Sequence, residues 1–178
     1  MDLTEHTVKS RTLFEGHIVK LTLDRARLPD GTLADREVVY HPGGVAILAL
    51  DDRNNVLTVT QYRYVIGKTL LEIPAGKLEP GEDPVAGALR ELKEETGAVP
   101  DTFLPMGVTL PSPGCLSERL YLFLAKGLHM ESQQLDEDEF LNVERIPFNE
   151  MVHRVMDGEI EDSKTIAAVL KAKVLLNL

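Results

Sequence analysis

An unbroken apolar run, Val45-Ala46-Ile47-Leu48-Ala49-Leu50, is followed by the polar turn Asp51-Asp52-Arg53-Asn54-Asn55 and then by Val56-Leu57-Thr58-Val59-Thr60. Short apolar runs bounded by turn residues predict two core strands. Upstream, residues 12–40 alternate apolar and polar positions on both sides of Leu28-Pro29-Asp30-Gly31, a turn signal that predicts an N-terminal hairpin. Further β runs fall at residues 70–73, 119–125 and 141–146. Helical spacing occupies residues 84–96 and 147–156, and residues 163–178 form a third helix candidate. Strands and helices do not alternate regularly, so the expected fold class is α+β, a mixed sheet with helices on its faces. The length of 178 residues suits one substantial core.

The formal net charge of −10 argues against a nucleic-acid binder, which needs a surplus of Lys and Arg to neutralise phosphates. No run of about 18 apolar residues and no basic-then-apolar leader occurs. Cys115 is the only cysteine, so an intrachain disulfide is excluded and a cysteine-built zinc site is not expected. The expectation is a cytoplasmic chain with no membrane contact and a small-molecule partner. An acidic protein handles an anionic substrate when divalent cations lie between its carboxylates and the phosphates.

That requirement directs attention to residues 84–96. Asp83-Pro84 is an N-cap and first-turn signal, and Gly97 closes the other end. Val85, Leu89 and Leu92 recur at helical spacing as the expected buried seam, with Ala88 beside it. Glu91, Glu94 and Glu95 crowd the last two turns, where they oppose the helix macrodipole, and Glu91 and Glu95 repel at i,i+4. Arg90 reaches Glu94 at i+4 but neutralises only one of the three. A hard cation such as Mg²⁺ would satisfy the pair; the bland alternative is a Glu- and Lys-rich surface helix.

The flanking residues decide between these readings. From Gly76, the stretch GKLEPGEDPVAGALRELKEETGA sets Gly76, Glu82, Arg90, Glu91, Glu94, Glu95 and Gly97 in the pattern of the Nudix box. Such a set arises by chance at about one starting point in 10⁸. The chain resembles the Nudix hydrolase superfamily, with the mild departure that the small Ala98 fills the last apolar position. The resemblance implies a Nudix fold, an α/β/α sandwich with a mixed β-sheet between helices, and Mg²⁺ as cofactor with Mn²⁺ as a possible substitute. It implies metal ligation by Glu91, Glu95 and the Ala75 carbonyl, with Glu94 close by. Arg90 would orient the glutamates, and Glu82 would brace the loop. Gly76 and Gly97 have a plain explanation in the turns that enter and leave the element.

Three further segments resemble the ADP-ribose pyrophosphatase branch: Gln61-Tyr62-Arg63, Leu71 through Gly76, and Ser112-Pro113-Gly114 with Ser117-Glu118. The resemblance implies substrate contacts from Arg36, Arg63, Glu72, Ser112, Pro113 and Glu118. For Arg63 the alternative is a strand-end salt bridge, and for Glu118 a solvated loop carboxylate. In the run Asp136-Glu137-Asp138-Glu139, Glu139 is expected as a further metal ligand and Glu137 as the general base, with exchange of the two roles open. Tyr62 and Tyr64 are expected in the core rather than stacked on a base, and His41, His129 and His153 as structural or surface residues. The expected organisation is an N-terminal hairpin element at residues 1–40, exchanged in a homodimer, and a Nudix domain at 41–178. The expected reaction is hydrolysis of ADP-ribose to AMP and ribose 5-phosphate. Alternatives are hydrolysis of another nucleoside diphosphate sugar such as GDP-mannose, and a module that senses ADP-ribose without turnover.

Overall fold

Residues 1–135 and 139–177 are described in a computed structural model. It separates into a unit formed by Met1–Gly43 with Leu110–Arg119, and another formed by Gly44–Thr109 with Leu120–Leu178.

The first unit is a three-stranded antiparallel sheet of β1 (His6–Glu15), β2 (Lys20–Arg27) and β3 (Leu33–Tyr40). The expected turn at Leu28-Pro29-Asp30-Gly31 joins β2 to β3, with Gly31 at φ 86° donating its N–H to the Leu28 carbonyl. The first extended run is not continuous, however. It breaks at Gly16, whose N–H donates to the Val19 carbonyl, and the reversal adds β1 as a third strand. A Cβ at Gly16 would stand 2.6 Å from the ring of the exposed Phe14, which would have to swing aside. Along β2, buried Thr22, Asp24 and Ala26 alternate with Leu23, Arg25 and Arg27, the period of two that a one-sided sheet imposes. Residues 112–117 follow β3, where Val39 exchanges backbone hydrogen bonds with Cys115 and Ser117.

The second unit contains β4 (Gly44–Leu50), β5 (Asn55–Arg63), β6 (Lys68–Glu72), β7 (Ala75–Lys77), α1 (Pro84–Thr96), β8 (Ala98–Thr109), β9 (Leu120–Met130), β10 (Leu141–Pro147), α2 (Phe148–Met156) and α3 (Ser163–Leu176). The sheet order is β10-β5-β4-β9-β8, with β6 on β5 and β7 on β4; β4 and β9 run parallel and the other pairs antiparallel. Every residue of β4 is buried. Val45, Ile47 and Ala49 pack with Ala88 and Leu92 of α1, whereas Ala46, Leu48 and Leu50 pack with Met151 of α2 and Ala168, Val169 and Ala172 of α3. A strand covered on both faces reads as a continuous apolar run because neither face meets water.

The β4 and β5 strands stay paired only at Ala49↔Leu57 and Leu50↔Val56, and then diverge. The gap is filled by β6 against β5 and β7 against β4, with Ile47 N–H donating to the Pro74 carbonyl at 2.9 Å. This split delivers residues 72–76 to the end of α1 that carries the glutamates.

Three expectations change. The strand β8 has no counterpart in the pattern reading, because Pro100, Pro105 and Gly107 interrupt it; it lies at the sheet edge, where a missing N–H donor costs no ladder bond. Tyr62 and Tyr64 are 59% and 88% exposed and not core residues, since β5 ends at Arg63 and the chain turns outward there. The buried seam of α1 is also rotated from the expected one. Val85 and Leu89 are exposed, and the inward face carries Gly87, Ala88, Glu91, Leu92, Glu95 and Thr96. The helix gives its buried side to the carboxylates.

Candidate active site

Local chemistry sets α1 in place as its sequence dictates. The Asp83 carboxylate accepts from Val85 N–H and Ala86 N–H at 2.9 and 3.2 Å, and Gly97, at φ 73°, donates to the Lys93 carbonyl. The next segment closes the helix end: Glu131 N–H donates to the Gly97 carbonyl, Gln134 N–H to the Glu94 carbonyl, and the Gln133 amide to the Glu95 carbonyl. These bonds satisfy orphan carbonyls and lead the chain toward the acidic run.

Arg90 gathers three carboxylates. Its Nε and Nη2 donate to the two Glu82 oxygens at 3.0 Å each, its Nη1 donates to Glu91 and Glu94 at 2.9 Å each, and Nη2 also reaches the Lys77 carbonyl. A planar five-donor guanidinium suits this arrangement, and a lysine would not reproduce it. Glu82 accepts from Glu79 N–H as well, and the Arg90 bonds hold its carboxyl below the usual range. Arg90 thus joins Glu82 to the helix carboxylates Glu91 and Glu94.

Glu91 and Glu95 are 8% and 2% exposed. Burial pushes the Glu91 carboxyl up to about 7; Arg90 opposes the shift, and the charges of Glu94 and Glu139 add to it. Glu95 rises to about 8, again through burial first, opposed by the Ala75 N–H that donates to its Oε2 at 2.9 Å and reinforced by Glu91 and Glu139. Arg90 is the one arginine bonded to Glu91 and Glu94, Arg63 acts on Glu95 only through its charge, and the carboxylates stay under-neutralised. Hard oxygen donors, buried and under-neutralised, fit a divalent cation. Among the described residues no three His, Cys, Asp or Glu side chains form a ready cage.

Gly76 needs a different explanation from turn freedom. Its φ is not in the left-handed region, but a Cβ there would overlap the Glu91 carboxylate. Close approach requires the glycine.

Arg63 forks onto Glu72, with Nε–Oε1 at 2.6 Å and Nη2–Oε2 at 2.7 Å, so the strand-end salt bridge is present. Burial raises the Glu72 carboxyl, but Arg63 and Lys164 outweigh it and hold the group below its ordinary range. Lys164, 92 residues away in sequence, carries no motif that could have revealed it.

The remaining candidates belong to the first unit. Arg36 pairs with Glu5 through Nε at 3.0 Å and Nη2 at 2.8 Å. Ser112 accepts backbone bonds from Cys115 and Leu116 in the turn that contains Pro113. Glu118 lies 3.6 Å from His41 Nδ1, which accepts the Gly43 N–H and so has a structural role. His129 pairs with Asp101 at the surface and His153 lies on α2. Glu137 lies outside the described residues.

A mixed sheet between helices, with an arginine-braced glutamate helix at the split between two strands, defines a Nudix protein. The chain belongs to that hydrolase family: the NUDIX domain model matches residues 40–169, and the nucleoside diphosphate sugar hydrolase N-terminal domain matches residues 5–39. Hydrolases of this family generally need a divalent metal.

Among its relatives are the methanol dehydrogenase activator of Bacillus methanolicus, 42% identical and covering 93% of this chain and 90% of that one, and the ADP-ribose pyrophosphatase of Bacillus subtilis, 39% identical over 94% and 91%. The ADP-ribose pyrophosphatase of Mycobacterium tuberculosis is also 39% identical, over 94% of this chain and 84% of its own. A crystal structure of an ADP compounds hydrolase superposes with a TM-score of 0.87 at 21% identity, covering 99% of this chain and 97% of that one, a likeness of fold.

Proposed function

We propose that this chain hydrolyses the pyrophosphate bond of ADP-ribose to AMP and ribose 5-phosphate with Mg²⁺ as cofactor. The observation that carries this reading is the pair of buried, under-neutralised carboxylates Glu91 and Glu95, in a chain 39% identical to two ADP-ribose pyrophosphatases over 94% of its length. Glu91, Glu95, Glu139 and the Ala75 carbonyl hold the metal, and Mn²⁺ substitutes. When bound, the cation neutralises charge on the diphosphate and polarises the phosphorus.

Arg90 and Glu94 keep the ligating carboxylates in place. Glu137 accepts the proton of the attacking water, whose oxygen bonds to phosphorus in line as the bridging P–O bond breaks and the phosphate leaves. Arg63 donates to a phosphate oxygen and Glu72 positions it. Arg36, Ser112, Pro113 and Glu118 are the further substrate-binding candidates, with Arg36 acting at the partner subunit's site.

Incubation with ADP-ribose and Mg²⁺ should yield AMP, read by chromatography. Binding of ADP-ribose with no AMP formed would leave the sensing module as the reading, although that role has no use for a full set of box glutamates. A second substrate has specific support: a GDP-mannose pyrophosphatase of Yersinia pestis is 33% identical over 93% of this chain. GDP-mannose therefore belongs in the same assay, and faster release of GMP than of AMP would exchange the two substrates.

The protein is further proposed to be a cytoplasmic homodimer with the N-terminal element, residues 1–40, exchanged, and with residues 41–178 as the hydrolase domain. No helix among the described residues is long and apolar enough to cross a membrane. Every residue of β1 is exposed, and Val8, Leu13 and Phe14 among them offer apolar surface at the sheet edge that a second copy would cover. Sedimentation at micromolar concentration should give the dimer mass; a monomer alone would remove the exchange.

A further inference from the structure

Glu72 is 1% exposed and has two cationic partners, although one would neutralise it. Arg63 uses Nε and Nη2 on this carboxylate. Lys164 Nζ donates to the same Oε2 that Nη2 contacts, and to Asp162 Oδ1 at 3.0 Å. The lysine is itself largely buried, with 11% of its side chain exposed, whereas Arg63 retains 39%. Glu72 and Asp162 together balance Arg63 and Lys164, so charge explains why a buried ammonium is tolerated here but not why it shares the Oε2 that Arg63 uses.

Holding β6 to α3 is not a sufficient reason. Ile73 N–H donates to Thr165 Oγ1 at 2.9 Å, and Asp162 caps α3 by accepting from Thr165 N–H at 3.0 Å and from the Thr165 hydroxyl. Those bonds tie strand end to helix start without Lys164. What the lysine alone changes is the demand that Glu72 places on Arg63. Arg63 engages Glu72 through its Nε–Nη2 edge, Lys164 competes for the Oε2 that Nη2 contacts, and Arg63 Nη1 has no hydrogen-bond partner among the described residues.

We propose that Lys164 is a positioning residue for the diphosphate substrate. By taking part of the Glu72 carboxylate, it sets the Arg63 guanidinium so that Nη1 is available to a phosphate oxygen. The inference rests on the proposed substrate role of Arg63. Without the lysine, Glu72 draws wholly on Arg63, and the guanidinium is spent on an internal neutral pair.

The test compares Lys164→Met, Lys164→Gln and Lys164→Arg with Lys68→Met, which removes a surface ion pair to Glu161 in the same unit. Lys164→Met and Lys164→Gln should raise KM for ADP-ribose about tenfold, the size of one weakened charge-assisted hydrogen bond, with kcat little changed. Lys164→Arg should restore most of the loss, and Lys68→Met should match the native chain. Calorimetric titration with inorganic diphosphate in Mg²⁺ should show the same weakening, and this arm needs no turnover. If the native chain fails to hydrolyse ADP-ribose, the proposed substrate falls while the diphosphate titration still decides the role of Lys164. Unchanged diphosphate affinity in the Met and Gln variants, with or without a lower melting temperature, reduces Lys164 to a structural tie and overturns the proposal. So would failure of the native chain to bind diphosphate. Should Lys164→Met not fold, Lys164→Gln and Lys164→Arg carry the comparison.

Discussion

Glu95→Gln should reduce turnover by at least about 10²-fold, which is ~3 kcal/mol of barrier, while leaving the fold intact. Glutamine keeps the size of the side chain and can still accept the Ala75 N–H through its amide oxygen, so the buried site loses a charge and little else. Without metal the substitution should even stabilise the protein. Burial raises the Glu91 and Glu95 carboxyls from an ordinary 4.5 to about 7 and about 8. A carboxyl whose folded pKa lies above its unfolded value contributes stability below the unfolded value, and loses it as pH rises through the folded one. The native chain in chelator should therefore weaken between about pH 4.5 and 8 relative to Glu95→Gln, which lacks one of these titrations. Taking the difference between the two proteins cancels the opposite trend of groups such as Glu72, whose carboxyl is lowered. Saturating Mg²⁺ should reverse the order, because a cation that binds only the folded state stabilises it by mass action. Denaturation midpoints across pH, with and without Mg²⁺, check this; unchanged turnover in the variant would take Glu95 out of the metal shell.

Features governed by neighbouring residues are legible in the chain's own order of residues. Asp83, Pro84 and Gly97 mark the bounds of α1 because capping is local chemistry, and the crowding of Glu91, Glu94 and Glu95 at the negative end of a helix is likewise legible as charge that needs compensation. Features decided by the far side of the fold are not legible in that way. Periodicity puts Val85 and Leu89 inward, since apolar residues are ordinarily buried, but the face turned inward is the one whose small residues, Gly87 and Ala88, allow close packing on the sheet. The strand β8 is hidden by prolines that only its edge position tolerates. Arg63 and Glu72 both stand out in the sequence, yet as separate substrate contacts; their pairing across β5 and β6, and the capture of Glu72 by Lys164, depend on strand register and on a helix far along the chain. A glycine in sequence also does not announce which of its two properties is in use.

Gly76 separates those properties by experiment. If the residue were there for turn freedom, alanine would strain the backbone; its φ is ordinary, so that cost is absent. The cost is instead steric and directed, because the added Cβ would overlap the Glu91 carboxylate, and the glutamate must move out of the grip of Arg90. Displacement of a reacting group by about 1 Å is enough for a loss of roughly 10²-fold, and Gly76→Ala should lose turnover on that scale. Overpacking should cost about 1–3 kcal/mol of stability, read from a denaturant midpoint at unchanged slope. Because the effect is transmitted through one side chain, it should not add to removal of that side chain: Gly76→Ala combined with Glu91→Gln should be little slower than Glu91→Gln alone. Mn²⁺ titration of the same set should show the affinity loss of Gly76→Ala contained within that of Glu91→Gln. Full additivity of the two substitutions would mean that Gly76 acts on something other than Glu91, and the close approach would then not be why this position is glycine.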